Sequence, residues 1–207
     1  MAAQSTGTEP THLAQSGRSF LFLLASARAD GNTELLARRA AEHLPSNVSQ
    51  RWLHLDDLPL APFRDVRHSD EPRREPAGNE RLLLDATLAA TDLVFASPLY
   101  WYSVSSSLKL YLDYWSAWLR VPDAQFKERM RGKTFWSVSA LADDDPALAQ
   151  PLVHSLELSA QYLDAKWGGA LLGNGSWPGD ILKDTQALDQ ARSFFDSVAA
   201  GLVGSAA

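Results

Sequence analysis

The sequence predicts an α/β fold of three layers: a five-stranded parallel sheet in the order 2-1-3-4-5 with helices on both faces. Three observations lead there. Short apolar runs alternate with stretches of helical period from Ser19 to Leu202, the pattern of repeated strand–helix units. The clearest runs, SFLFLLA and DLVFAS, are apolar at successive positions, as strands covered on both faces require. Right-handed crossovers leave few topologies for this element count, and 2-1-3-4-5 is the commonest.

Each element follows in order. SFLFLLA, from Ser19, is strand 1, and Thr33 to Leu44 is a helix with Leu36, Ala37, Ala40, Ala41 and Leu44 on one stripe, ended by Pro45. SQRWLHL is strand 2, nearer an edge because of its polar residues. The connection 56–78 is rich in Pro and charge, and connections that long are usually functional or disordered. Asn79 to Thr91 is a helix facing inward through Leu83, Ala86, Thr87 and Ala90, and DLVFAS is strand 3. Ser103 to Arg120 is the next helix, with Val104, Leu108, Tyr111, Leu112, Trp115 and Leu119 at helical spacing. KTFWSVSALA is strand 4. A long helix from Pro146 to Trp167, strand 5 (GGALLG), and a closing helix from Ile181 to Leu202 complete the chain.

The 207 residues suit one domain, 19–204, behind a flexible tail 1–18. The tail lacks a basic end followed by an apolar block, and no apolar stretch reaches the roughly 20 residues of a membrane span. A cytoplasmic location with no membrane partner is expected. A net charge of −6 argues against nucleic acid. The absence of Cys removes disulfides, thiolate zinc sites, iron–sulfur clusters and a Cys nucleophile together. His12, His43, His54, His68 and His154 are scattered without the spacing of a helical metal site, so no metal is expected.

In open α/β sheets ligands lie beyond the carboxyl ends of the strands, near the switch point between strands 1 and 3. SARADGNT, after strand 1, lacks both GxGxxG and GxxxxGK[ST]. It still suits a phosphate monoester. Backbone N–H groups and the dipole at the helix start favour an anion. Ser26, Asn32 and Thr33 add neutral donors and Arg28 adds charge, each charge-assisted bond contributing on the order of 1.5–3 kcal/mol. The same loop can be a plain turn, with Asp30 or Asn32 capping the helix and Gly31 relaxing the chain.

SPLYWYS, after strand 3, offers Pro98, Leu99, Tyr100, Trp101, Tyr102 and Ser103. Three consecutive aromatics cannot all enter one core, and those facing a crevice suit a planar heteroaromatic ligand. The plainer alternative is a loop that buries its rings against the next helix. After strand 4, in VSALADDDP, Ser139 and the amides beyond it can meet a ligand's polar edge; equally, Asp144 or Asp145 can cap the turn before Pro146.

Together these motifs resemble the NADPH-dependent FMN reductase family of the flavodoxin-like superfamily. Its members show Ser-x-Arg-x-x-Gly-Asn-Thr after strand 1, here Ser26, Arg28, Gly31, Asn32 and Thr33. After strand 3 they show Ser-Pro-x-Tyr and then Leu-Lys-x-x-x-Asp, here Ser97, Pro98, Tyr100, Leu108, Lys109 and Asp113. The resemblance implies FMN, its phosphate in the first turn and its isoalloxazine ring against the Pro98–Ser103 loop. It implies NADPH or NADH as hydride donor, a small-molecule electron acceptor, and a homodimer or tetramer whose partner covers part of the flavin, with 56–78 a candidate for that cover. Lys109 and Asp113, at i and i+4, read as helix-stabilising rather than catalytic. Two positions depart from the pattern: Ala25 stands where many relatives have Gly, and Ala140, Leu141 and Ala142 replace a Gly-rich stretch. The second replacement crowds the approach to the ring's pyrimidine edge.

The expected function is hydride transfer from NAD(P)H through flavin N5 to a quinone, azo, nitroaromatic or flavin acceptor, with no obligatory catalytic side chain. The main alternative is a flavodoxin-like FMN electron carrier without an NAD(P)H site; a flavin-free binding or scaffold relative is a third. A receiver domain would need an acidic pair where Ser26 stands and an Asp where Ser97 stands. For a 2′-phosphate, Arg64, Arg67, Arg73, Arg74 and Arg120 are all candidates and none is selected.

Overall fold

Phe20 and Phe22 turn to one face of their strand, Leu21 and Leu23 to the other, and all four are at most 1% exposed. Such a strand holds only at the centre of a sheet covered on both sides. The computed structural model describes residues 17–66, 68 and 74–196. It places β1 (Ser19–Leu24), β2 (Ser49–His54), β3 (Asp92–Ala96), β4 (Thr134–Leu141) and β5 (Lys166–Asn174) in the parallel order β2-β1-β3-β4-β5. The expected topology is the observed one.

Around the sheet lie α1 (Asn32–Ala41), α2 (Gly78–Ala89), α3 (Ser106–Trp118), α4 (Phe126–Met130), α5 (Gln150–Tyr162) and α6 (Thr185–Ser193). Helices α1 and α6 pack on the Phe20/Phe22 face with Trp136, Val138 and Phe195. Helices α2 to α5 cover the other face around Leu93, Phe95, Tyr111, Trp115 and Trp118. Thr87 Oγ1 and Tyr111 Oη, both buried, pair at 2.6 Å, and burial raises the Tyr111 phenol far above its ordinary range.

Four differences from the sequence reading have physical causes. The helix expected from Pro146 to Trp167 is a 3-10 turn over Pro146–Ala149 followed by α5. Asp164, at φ 53°, ends the helical run, and Trp167 is the second residue of β5. The helix expected at Ser103 starts at Ser106, because Ser105 caps it by accepting from the Leu108 N–H. The closing helix starts as a 3-10 turn over Asp180–Lys183, after which Asp184 caps α6; Val198 and Leu202 lie outside the described residues. Helix α4 was not expected; it buries Phe126 against Trp115 and Trp118.

At the amino end of the sheet, buried Asp92 accepts from Arg18 Nε at 3.1 Å, Thr91 Oγ1 at 2.7 Å and Trp136 Nε1 at 3.0 Å. Beside it, buried Lys133 donates to Leu88 O and Ala90 O, the last carbonyls of α2. The polar strand-exit loops are thus left to the opposite, carboxyl end.

Candidate functional site

At the β1 exit, Ala25 N–H still bonds Ala96 O of β3 at 2.9 Å, and the chain then leaves the sheet at Ser26. Ser26 Oγ accepts from the Arg28 N–H at 3.1 Å, which folds the loop into a tight turn. Gly31 lies so close above that a Cβ there would come within 2.9 Å of Ser26 Oγ. Gly31 is also the N-cap of α1 and has no side chain to accept from the first-turn N–H groups. Neither Asp30 nor Asn32 caps this helix, whereas Ser105 and Asp184 cap α3 and α6. An open helix start beside exposed Arg28 is the donor set a phosphate dianion requires. The one first-turn acid, Glu34, is paired with Arg38 at 2.6 Å and also accepts from the Asp30 N–H.

The structure gives Asn32 and Thr33 a second role. Asn32 Nδ2 donates to Trp177 O at 2.9 Å, and its Oδ1 accepts from the Ile181 N–H at 3.4 Å. Buried Thr33 accepts from the Ala140 N–H at 3.1 Å. The amide of Asn32 is therefore largely committed to the loop after β5, while the first-turn N–H groups of α1 and the Arg28 side chain are left open. Sequence reading missed that loop, Asn174 to Asp180. Its run of Gly, Ser, Pro and Asn between a strand and a helix was the available signal.

At the β3 exit the chain keeps its grip on β4 for three more residues: Ser97 N–H bonds Val138 O at 3.0 Å and Leu99 N–H bonds Ala140 O at 3.2 Å. Ser97 Oγ accepts from the Ser105 N–H at 2.9 Å, closing the loop at its far end. Between these anchors, Tyr100 and Ser103 exchange two backbone bonds of 3.0 Å. Trp101 and Tyr102 form the turn at φ 49° and 63°. Two successive positive φ values mark a type I′ turn, which favours Asn-Gly. Side chains held there cost on the order of 1–3 kcal/mol each. Tyr100 is 46% exposed, Trp101 94% and Tyr102 53%. All three rings of the cluster thus face outward, and the plainer alternative of a loop burying its rings is not what forms. Lys109 and Asp113 pair at 2.5 Å on the surface of α3.

Strand β4 runs to Leu141 because β5 pairs with it as far as Asn174. Ser139 therefore lies two residues inside the strand, fully buried, with its Oγ closed off from the crevice and unpartnered. The β4 side of the site consists of Ala142 and three exposed acids. Asp145 caps the turn at Pro146 by accepting from the Ala147 N–H at 2.9 Å, and Asp144 accepts from Asn174 Nδ2 at 2.8 Å. The connection expected as a cover is pinned in its first half. Tyr114 Oη donates to Ala61 O at 3.0 Å, and Phe63 packs edge-on against the Tyr114 ring. Arg74 pairs with Glu80, and Arg67 and Arg73 lie outside the described residues. Among the described residues no helix is long and apolar enough to cross a membrane, and no group of three or more metal-ligating side chains is present.

Comparison with known proteins bears on the same segments. The chain is 32% identical over 165 residues, 79% of its length and 89% of the relative's, to Bacillus subtilis (strain 168) YwqN, whose name gives it as an NAD(P)H-dependent FMN-containing oxidoreductase. Among solved structures it resembles the Trp repressor binding protein of Bacillus subtilis, with a TM-score of 0.68, 27% identity, and coverage of 84% of this chain and 96% of that one. It shares its fold with an FMN-dependent NADH-azoreductase of Bacillus anthracis solved with FMN, at a TM-score of 0.57, 14% identity, and coverage of 88% and 99%. The family model described as NADPH-dependent FMN reductase matches residues 19–166, from the first residue of β1 to the first of β5. The chain belongs to the NADPH-dependent FMN reductase family, flavoenzymes that bind FMN and oxidise NAD(P)H.

Proposed function

We propose that residues 19–204 form one cytoplasmic domain, working as a dimer or tetramer, that reduces a quinone, azo, nitroaromatic or flavin acceptor with electrons from NADPH or NADH. The uncapped start of α1 beside Arg28, at the exit of the central strand, carries the reading. There Ser26, Arg28 and the first-turn N–H groups of α1 hold the phosphate, with Thr33 fixing the turn they share. Pro98, Leu99, Tyr100 and Ser103 border the ring, while Trp101 and Tyr102 stand out beyond it.

The chemistry supplied by bound FMN is two-electron transfer through N5. The protein's own contribution is positional. Leu99 and Ser97, bonded to β4 through their N–H groups, and Ser105, whose N–H bonds Ser97 Oγ, fix the loop against which the ring would lie. No side chain is required to move a proton. The three acids after β4 disfavour a negatively charged group near that end of the crevice.

The test is a titration of the purified protein with FMN, followed by quenching of flavin fluorescence, with NADPH and then NADH added anaerobically. Tight binding and rapid bleaching near the flavin's visible band, reversed by menadione, is the expected result. Binding without bleaching by either nicotinamide would instead make the protein a carrier of electrons.

A further inference from the structure

Glu34 is an acid where an acid looks out of place, buried in the first turn of α1 beside the position proposed above for a dianion. Both of its carboxylate oxygens are engaged. Oε2 accepts from the Asp30 N–H at 3.1 Å, and Oε1 accepts from Arg38 Nε at 2.9 Å and Nη2 at 2.6 Å. Arg38 is itself seated, its guanidinium carbon 4.5 Å from the centre of the Trp52 ring. Trp52 stacks on Phe22 of β1, with ring centres 3.9 Å apart and planes within 6° of parallel. Phe22, Trp52, Arg38, Glu34 and Asp30 thus form one connected line from the central strand to the turn SARADGNT.

The line ends at the residue of that turn with a left-handed backbone. Asp30 has φ 53°, a conformation uncommon outside Gly that persists where its surroundings fix it. Glu34 fixes it by accepting the Asp30 N–H, while the first-turn N–H groups of α1 keep no side-chain cap. Arg38 balances the carboxylate, whose charge alone would oppose an anion at this helix start.

We propose that Glu34 is a positioning residue for the cofactor phosphate. Held by Arg38 on Trp52, it sets Asp30 and with it the shape of the phosphate turn, and it touches no ligand itself. The inference rests on the phosphate site proposed above.

The test compares the dissociation constants of FMN and riboflavin, which differ only by the phosphate, with Tm recorded on the same samples. Glu34→Ala should lower the preference for FMN about tenfold, the loss expected of one charge-assisted bond. Glu34→Gln, whose amide oxygen can still accept from the Asp30 N–H, should recover most of it. Arg38→Met changes a half-exposed side chain and keeps the test open if Glu34→Ala fails to fold. It too should lower the preference about tenfold, because the carboxylate then stands unbalanced beside the phosphate. A fall in Tm with the preference unchanged would reduce the two residues to an ordinary helix-stabilising pair and overturn the inference. So would a rise in preference in Glu34→Ala, which would make the carboxylate an opponent of the phosphate. A wild type that binds riboflavin as tightly as FMN would overturn the phosphate site together with this inference.

Discussion

Thr33 Oγ1 accepts a hydrogen bond from the backbone N–H of Ala140 at 3.1 Å, joining the start of α1 to the end of β4 across 107 positions of sequence. Both residues are buried, so the N–H has no access to water if the hydroxyl is lost. Thr33→Ala should therefore destabilise the protein by about 1–3 kcal/mol, the cost of a buried unpaired donor. It should also weaken FMN binding by loosening the phosphate turn against β4, and Thr33→Ser should restore both. Chemical denaturation and a flavin titration on the same samples measure this. A loss of affinity with no loss of stability would mean that the hydroxyl acts on the ligand alone.

Arg28 gives the opposite pattern. Its side chain is exposed, and its backbone N–H is tied down to Ser26 Oγ. Arg28→Ala should leave the melting temperature within a degree or so and weaken FMN binding by roughly 10- to 100-fold, the range of one charge-assisted bond to phosphate. Riboflavin, which lacks the phosphate, should bind wild type and variant equally. Unequal loss for riboflavin would move Arg28 away from the phosphate.

How far these roles could be read from the sequence depends on how local their causes are. β1 and β3 were legible because an unbroken apolar run is itself the signature of a strand covered on both faces. The openness of the α1 start was half legible. SARADGNT holds the right residue types, but Asn32 is engaged by Trp177, 145 positions away, and no local pattern announces that. Ser139 lies inside the expected strand KTFWSVSALA, and its segment does not tell which groups near the strand's end reach the crevice; packing in the sheet beside β5 buries it. Trp167 was assigned to a helix because the helical stripe before it runs on without a break signal. The left-handed Asp164 that ends the helix is a tertiary outcome. The type I′ turn at Trp101 and Tyr102 was invisible for a different reason, since bulky aromatics are not turn residues.

The Asp92 cluster separates stability from function. It lies where β3 begins, whereas the loops proposed to hold the flavin lie where the strands end, so its loss should be felt only by the fold. Asp92→Ala removes the acceptor for Arg18, Thr91 and Trp136 together. Breaking a buried charged pair in this way costs about 3–5 kcal/mol. Urea denaturation should register that loss while the FMN dissociation constant, measured on the remaining folded protein at low temperature, stays within twofold. A matching drop in FMN affinity would show that the sheet transmits the change along β3.

Lys133 sets the last expectation, on pH. Burial, with Arg129 adding repulsion and Asp92 opposing both, lowers its ammonium from 10.5 to about 8. In the unfolded chain the amine stays protonated up to 10.5, so between about 8 and 10.5 the unfolded state binds more protons than the native one. Stability then rises with pH across that window as far as this group is concerned. Below it, both states are charged and the burial penalty is at full strength. Lys133→Met removes the titration while keeping much of the chain's length and apolar contact. The wild type should therefore gain on the variant in melting temperature as pH is raised from neutrality to about 10. A constant gap over that range would show that Lys133 folds without surrendering its proton, its charge held by the carbonyls of Leu88 and Ala90.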